Sequence, residues 1–281
     1  MARTPDRPWV VITGCSTGIG RELALACRDA GWGVAATARS LAALGGLPAG
    51  PDLMLLELDV TRPDSIAAAA AALQDRRLTA LVNNAGYGCM GPLEFIGPED
   101  LRAQLETNVV GLHAATRAFL PLIRRHAAPG EGRIVHVASV LGRMGVPMAG
   151  AYCASKFAVV ALAETLRLEV QPEVRVILVE PGAIRSQFRD TMVRTLGNLP
   201  ERLRGTRFEP VLRHYLERGV VAGHGLPAQV CARRILAAMS RRHPPRRVVI
   251  GPDALWANVA KALLPEGLWD WGVRRAFGLG N

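Results

Sequence analysis

The sequence predicts an α/β protein of three layers: a doubly wound, seven-stranded parallel sheet covered by helices on both faces. Three observations carry this expectation. Short β-branched apolar runs alternate with stretches of helical periodicity from residue 8 to about residue 251, the order that builds parallel strands with helical crossovers. Glycine, asparagine or Pro-Gly turns punctuate the strand ends, which form the ligand-facing edge of such a sheet. No linker interrupts the pattern, so residues 1–281 are read as one domain.

Residues 8–13 (PWVVIT) are a buried first strand ending at Gly14. The loop Gly14-Cys15-Ser16-Thr17-Gly18-Ile19-Gly20 follows, then a helix, RELALACRDAG, closing at Gly31. Strand, glycine loop and helix in this order suit a pyrophosphate, because the backbone can approach closely and the anion lies at a helix N-terminus. The second strand, residues 32–39, ends about 20 residues beyond the loop, where a dinucleotide site reads the adenosine ribose. An acid there would favour NAD. Thr37-Ala38-Arg39 has none and ends in a cation suited to a 2′-phosphate, so NADP is expected. NAD is the alternative if Arg39 is only a surface residue.

Residues 53–58 form a third strand with Asp59-Val60 at its end, and a polyalanine helix over roughly 63–74 begins at Thr61 or Asp64. The fourth strand, TALVN, runs into Asn83-Asn84-Ala85-Gly86. A long helical region starts at Gly97-Pro98 and reaches about Arg125, with Asn108 inside it, where asparagine is locally unfavourable. Residues 132–139 are the fifth strand and deliver Ser139 to its C-terminal end, while His136 within it reads as a core or sheet-face residue. A helix carrying Tyr152 extends to about Val170, Pro172 breaks it, and residues 174–180 form a sixth strand ending at Pro181-Gly182. The arginine-rich stretch 183–225 spaces Phe188, Met192, Leu196, Phe208, Leu212 and Tyr215 along it and reads as a lid or helical pair. A helix at 227–240 and a strand at 246–251 complete the sheet, leaving a tail, 252–281.

Ser139, Tyr152 and Lys156 stand out chemically. Tyr152 and Lys156 have i, i+4 spacing and share a helix face, so the ammonium is expected to lower the phenol pKa and ready it for proton exchange. Ser139 could hold the same substrate oxygen. Taken alone, the three read more readily as a surface pair and an unrelated serine.

Composition narrows the classes. With 49% hydrophobic residues the chain can bury a sizeable core. Five scattered cysteines without a C-x-x-C pair argue for a reducing compartment and against a disulfide framework or a metal site. Cys153, beside Tyr152, reads as a packing residue. The first eight residues leave no room for a signal peptide, and no apolar run is long enough to span a bilayer, so a cytoplasmic or membrane-associated protein is expected. The net charge of +10 comes from dispersed arginines without interleaved aromatics or a nucleic-acid motif, which suits a solvated surface that attracts an anionic ligand.

The set Thr13-Gly14-x3-Gly18-Ile19-Gly20, Asp59, Asn83-Asn84-Ala85-Gly86, Asn108, Ser139, Tyr152, Lys156 and Pro181-Gly182, in this order, resembles the compact short-chain dehydrogenases/reductases over residues 8 to about 251. The segments TGCSTGIG, ATAR and NNAGYG are similar to the hydroxysteroid and retinol dehydrogenase branch. The resemblance implies a Rossmann fold with a cofactor half at about 1–150 and a catalytic and substrate half at about 139–251. It implies hydride transfer between NADP(H) and a carbonyl or alcohol, with Tyr152 exchanging the proton, Lys156 lowering its pKa and holding the nicotinamide ribose, and Ser139 orienting the substrate oxygen. Asn108 would hold a water linking Lys156 to solvent. Gly14, Ser16, Gly18, Ile19, Gly20, Arg39, Asp59, Val60, Asn83, Ala85 and Gly86 would meet the adenosine and pyrophosphate side; Pro181, Gly182, Ile184 and Ser186 would meet the carboxamide and phosphate. Ser186 stands where the family commonly has threonine, which preserves the hydroxyl.

Leu141, Met144, Met148 and Phe188, with Gly88, Cys89 and Met90, would surround a lipophilic substrate that is steroid-, retinoid- or fatty-chain-like. Acyl-carrier-protein ketoreductases also resemble the chain but finish soon after the last strand, whereas some 30 residues remain here. A catalytically silent cofactor-binding regulator is the reading from another class. The family pairs helices equivalent to 108–125 and 150–170 across a two-fold axis, implying a homodimer or homotetramer. The tail has apolar and tryptophan positions at helical spacing; packing on its own domain is the first expectation, with a dimer contact or a membrane surface as alternatives.

Overall fold

Strict alternation along the strands decides which helices cover which face. The computed structural model describes residues 7–218 and 225–280, without the side chains of residues 217 and 218. The first half contains β1 (Trp9–Ile12), α1 (Gly18–Asp29), β2 (Gly33–Ala38), β3 (Leu53–Glu57), α2 (Pro63–Ala71), β4 (Leu78–Asn83), α3 (Pro98–Leu105) and α4 (Leu112–His126). Then come β5 (Gly132–Val137), α5 (Gly150–Val170), β6 (Val174–Pro181) and the two-residue β7 (Ile184–Arg185). The lid region holds α6 (Phe188–Arg194), α7 (Leu199–Arg202) and α8 (Glu209–Arg218). The chain closes with β8 (Leu226–Pro227), α9 (Ala228–Met239), β9 (Arg247–Ile250), α10 (Pro252–Leu263) and α11 (Glu266–Ala276). Residues 219–224, part of the expected lid, lie outside the described residues.

Seven strands pair in parallel in the order β3-β2-β1-β4-β5-β6-β9, the expected doubly wound sheet. The order reverses between β1 and β4, so a crevice opens at their C-terminal ends. Val10, Ile12, Val34, Ala36, Ala80, Val82, Val135 and Val137 pack on one face with Leu23 and Cys27 of α1 and Cys231 and Ile235 of α9. Trp9, Val11, Ala35, Leu81, Ile134 and Val176 pack on the other with Ile66 of α2, Phe119 of α4 and Val159 of α5. Each of these strands thus feeds both cores, as period-2 apolar runs require. All five cysteines are free and buried.

Two elements differ from expectation. The helix foreseen over 63–74 ends at Ala71, and its entry is organised by neither Thr61 nor Asp64. Instead, Asp59 Oδ1 accepts from the Thr61 amide at 2.9 Å and hydroxyl at 2.7 Å. The long helix from Gly97 is interrupted by a π-helical turn, Glu106–Gly111, between α3 and α4. Gly111 lies so close to the start of the α2 segment that a Cβ there would come within 2.7 Å of the Val60 carbonyl. The wider turn also carries Asn108 inward.

His136 is a buried sheet residue, as read from the sequence. Asn83 Nδ2 donates to its Nδ1 at 3.1 Å, which fixes a neutral ring, and burial lowers its pKa to about 3. The unfolded chain therefore binds a proton between pH 6.5 and about 3 that the folded chain refuses, and stability falls as pH falls through that window. His136→Gln is expected to lose up to about 1.4 kcal/mol of acid sensitivity per pH unit there. Urea unfolding at pH 7 and pH 5 measures it: the stability loss should be smaller in the variant than in the native chain.

Candidate active site

The glycine loop after β1 forms a cradle. Gly14 and Gly18 have φ of +74° and +59°, left-handed values that favour glycine. A Cβ on Gly14 would lie 2.8 Å from Ala85 Cα, and one on Gly20 would collide with the Gly14 carbonyl. Thr17, the N-cap of α1, makes no side-chain cap bond, and the first turn has no acid. The leading amides of α1 are therefore left for an anion, which fits a pyrophosphate. Ser186 sits over this loop, with its Cβ 3.1 Å from where a Gly18 Cβ would be. Ile184 packs beneath, against the α1/α9 core.

The other cofactor-side residues take distinct roles. Thr13 Oγ1 accepts from the amides of Asn84 and Ala85, both at 3.0 Å, and Asn84 Nδ2 donates to the carbonyls of Thr13 and Gly14, both at 2.9 Å. These bonds lock the fourth strand's end to the glycine loop. Asn83, by contrast, turns its side chain into the core, donating to Thr116 Oγ1 at 2.9 Å as well as to His136. Its Oδ1 is buried without a hydrogen-bond partner among the described residues. Arg39 is exposed at the end of β2 and forms no ion pair among the described residues. Val60 is buried, and Asp59 is occupied in its turn.

Ser139, Tyr152 and Lys156 come together at the C-terminal end of β5, all buried. Lys156 Nζ donates to the Val137 carbonyl at 2.9 Å and stands 5.6 Å from the Tyr152 ring centre. Burial lowers the lysine pKa to about 8. The expected depression of the tyrosine pKa is not what the structure gives: burial pushes it up, and the Ser139 hydrogen bond offsets this only in part. Desolvation outweighs the neighbour that spacing alone makes prominent. Ser139 Oγ also accepts from the Leu141 amide at 3.1 Å.

Asn108 serves as a tie. Its Oδ1 accepts from the Tyr87 amide at 3.1 Å, and its Nδ2 donates to the Tyr87 carbonyl at 2.9 Å and Ser155 Oγ at 3.0 Å. Ser155 Oγ donates onward to the Tyr152 carbonyl at 2.7 Å. The carboxamide thus joins the loop after β4 to α5, the helix that carries Tyr152 and Lys156. Gln104 was not foreseen: fully buried, it donates to the Tyr87 carbonyl at 2.8 Å and accepts from the Cys89 amide at 2.6 Å. A polar residue one turn before the π-turn was its only sequence signal.

An apolar cluster from the 183–218 region packs above. Met90 and Met148 pack with Met192, Leu196, Leu199, Phe208 and Leu212, joined by Phe188 and Tyr215. The Phe188 ring lies 5.5 Å from that of Tyr152. Gly91 donates to the Met148 carbonyl at 2.8 Å, so the two loops beside the site are pinned together. Met144 is buried but outside this apolar cluster, and Leu141 is half-buried.

A model of the short chain dehydrogenase family matches residues 8–196. The mouse 17-beta-hydroxysteroid dehydrogenase type 1 is 40% identical over 225 residues, 75% of this chain and 64% of that enzyme. The 3-ketodihydrosphingosine reductase of Bacteroides thetaiotaomicron is 32% identical over 94% of this chain and 96% of its own, and human retinol dehydrogenase 5 is 32% identical over 93% and 86%. A Burkholderia cenocepacia short chain dehydrogenase solved with NADP superposes at a TM-score of 0.74 with 28% identity, covering 94% of this chain and 96% of that one. One from Burkholderia phymatum solved with NAD gives 0.77 and 28%, covering 92% and 94%. The chain therefore belongs to the short-chain dehydrogenase/reductase family. Within it, the chain is an NAD(P)-dependent oxidoreductase acting on CH–OH groups, with relatives in the hydroxysteroid and retinol dehydrogenase branch.

Removing the Asn108 amide would orphan the buried groups of Tyr87 and Ser155. Asn108→Ala is expected to lose about 3 kcal/mol of stability, with Asn108→Asp losing at least as much, because its second oxygen cannot donate to the Tyr87 carbonyl and brings a buried charge against it. Denaturant midpoints of the two variants test this ordering.

Proposed function

We propose that the chain transfers a hydride between NADP(H) and a lipophilic ketone or alcohol. The observation that carries the reading is a buried Ser139/Tyr152/Lys156 group roofed by the methionine- and leucine-rich lid cluster, with Phe188 against Tyr152. The nicotinamide supplies the hydride. In reduction Tyr152 gives its proton to the substrate oxygen, Ser139 holds that oxygen, and the Lys156 ammonium supports the charge left on the phenol. The exposed Arg39, unpaired among the described residues, would hold the 2′-phosphate of NADP. Relatives that span 93–96% of the chain are named for keto sphingoid, steroid and retinol substrates, which supports a lipophilic substrate of one of these kinds. Exposed Val110, Phe157 and Leu168, in the 108–125 and 150–170 regions, support a homodimer or homotetramer.

The test is oxidation of NADPH with a panel of steroid, retinoid and long-chain 3-keto compounds, 3-oxoacyl thioesters included. Tyr152→Phe should lower kcat by about 10²–10⁴-fold; full turnover in that variant would sink the assignment. Cofactor binding without turnover on any substrate would favour a silent regulator.

Arg39→Asp should weaken NADPH binding by about tenfold or more while leaving NADH nearly unchanged. Equal losses for both cofactors, measured by calorimetry, would make Arg39 a surface residue.

A further inference from the structure

The tail departs from its first expectation. α10 buries only Ala254, and α11 buries nothing. Leu255, Trp256, Val259 and Leu263 fall on one stripe of α10, opposite Ala254, and Trp256 and Leu263 are 71% and 77% exposed. On α11, Leu268 and Trp271 are exposed and share a face with Arg275, whose guanidinium lies 5.8 Å from the Trp271 ring centre. The acids Glu266 and Asp270 lie around the helix from that face. The hairpin is nonetheless tied at both ends to the active-site rim. Asp253 Oδ2 accepts from the Ala183 amide at 2.7 Å, directly after the Pro181-Gly182 turn. Beyond α11, Phe277 is buried and Leu279 packs against the lid cluster.

We propose that the α10–α11 hairpin docks in the surface of an anionic bilayer, setting the lid against the phase that dissolves a lipophilic substrate. The second clause rests on the function proposed above; the docking does not. An exposed stripe of tryptophan and leucine on each helix, with an arginine beside the one on α11 and the acids of α11 turned away from it, is the composition of interfacial helices. No helix among the described residues is long and apolar enough to cross a membrane, so the hairpin lies on the surface. Charge agrees: the lid that Leu279 joins carries eight arginines against four acids over residues 183–218, and the whole chain is +10. A second copy of the chain, bringing the same basic lid to the contact, is the less favourable cover.

The experiment is co-sedimentation of the full chain with phosphatidylcholine vesicles with and without phosphatidylglycerol, with the mass in solution measured by ultracentrifugation. The native chain should pellet with anionic vesicles, and brominated acyl chains should quench its tryptophan fluorescence. The triple variant Trp256→Ser, Leu263→Ser, Trp271→Ser should bind about tenfold less or weaker while still reducing a water-soluble ketone with NADPH. Arg275→Glu should reduce binding to anionic vesicles and leave the fold intact. A native chain that stays in the supernatant, or a triple variant that pellets equally, would overturn the proposal. So would a native dimer that ignores vesicles and dissociates in the triple variant, because a second copy would then cover this face. Vesicle binding is read without turnover, so failure of the substrate reading shows separately, as inactivity on lipophilic ketones with docking intact.

Discussion

The arrangement of the site depends on one buried ammonium. Lys156 is almost without solvent, and a cation so placed requires an acceptor. It finds the carbonyl of Val137, the last residue of β5, at 2.9 Å. That bond fastens the first turns of α5 to the end of β5. Tyr152, one turn earlier on the same helix face, is thereby set over the strand end, and Ser139 follows Val137 by two residues. The grouping of Ser139, Tyr152 and Lys156 follows from where a lysine can be buried.

A second buried charge holds the other side. Glu180, fully buried in β6, accepts from Arg143 Nε at 2.7 Å, with Arg247 Nε at 3.7 Å from its second oxygen. Arg143 belongs to the segment between Ser139 and Tyr152, so the pair joins the neighbouring strand to the loop beside the substrate space. Burial raises the Glu180 pKa despite the arginine, a sign that desolvation consumes much of the attraction. The pair is better understood as fixing geometry than as adding stability. Hydrogen bonds from Asn108 and Gln104 do the same for the loop after β4.

The sequence made much of this legible because the fold is written in local signals. Alternating apolar runs located all seven strands of the main sheet, and the glycine spacing located the cradle, since both follow from short-range sterics and period. What escaped depends on long-range packing. The π-turn arises where Gly111 meets Val60, about 50 residues away in sequence. Asn83 turns inward because His136 and Thr116, on other elements, need a partner. The Tyr152 pKa was misread for the same reason: i, i+4 spacing reveals the lysine, and only the folded lid and sheet reveal the desolvation.

The segment from Pro181 to Ser186 concentrates these constraints. It ends β6, carries Ser186 over the glycine loop, and presents the Ala183 amide to Asp253 of the tail. A Cβ on Gly182 would displace the Asp253 carboxylate from its bond to the Ala183 amide. β7 then pairs with β8, so the entry to the lid and the exit from it leave the fold side by side. Cofactor cradle, lid base and tail thus share six residues of backbone. A force on the tail reaches the lid through a charged hydrogen bond at one end and the Leu279 contact at the other. The lid region is therefore mechanically part of whatever surface covers the α10–α11 stripe.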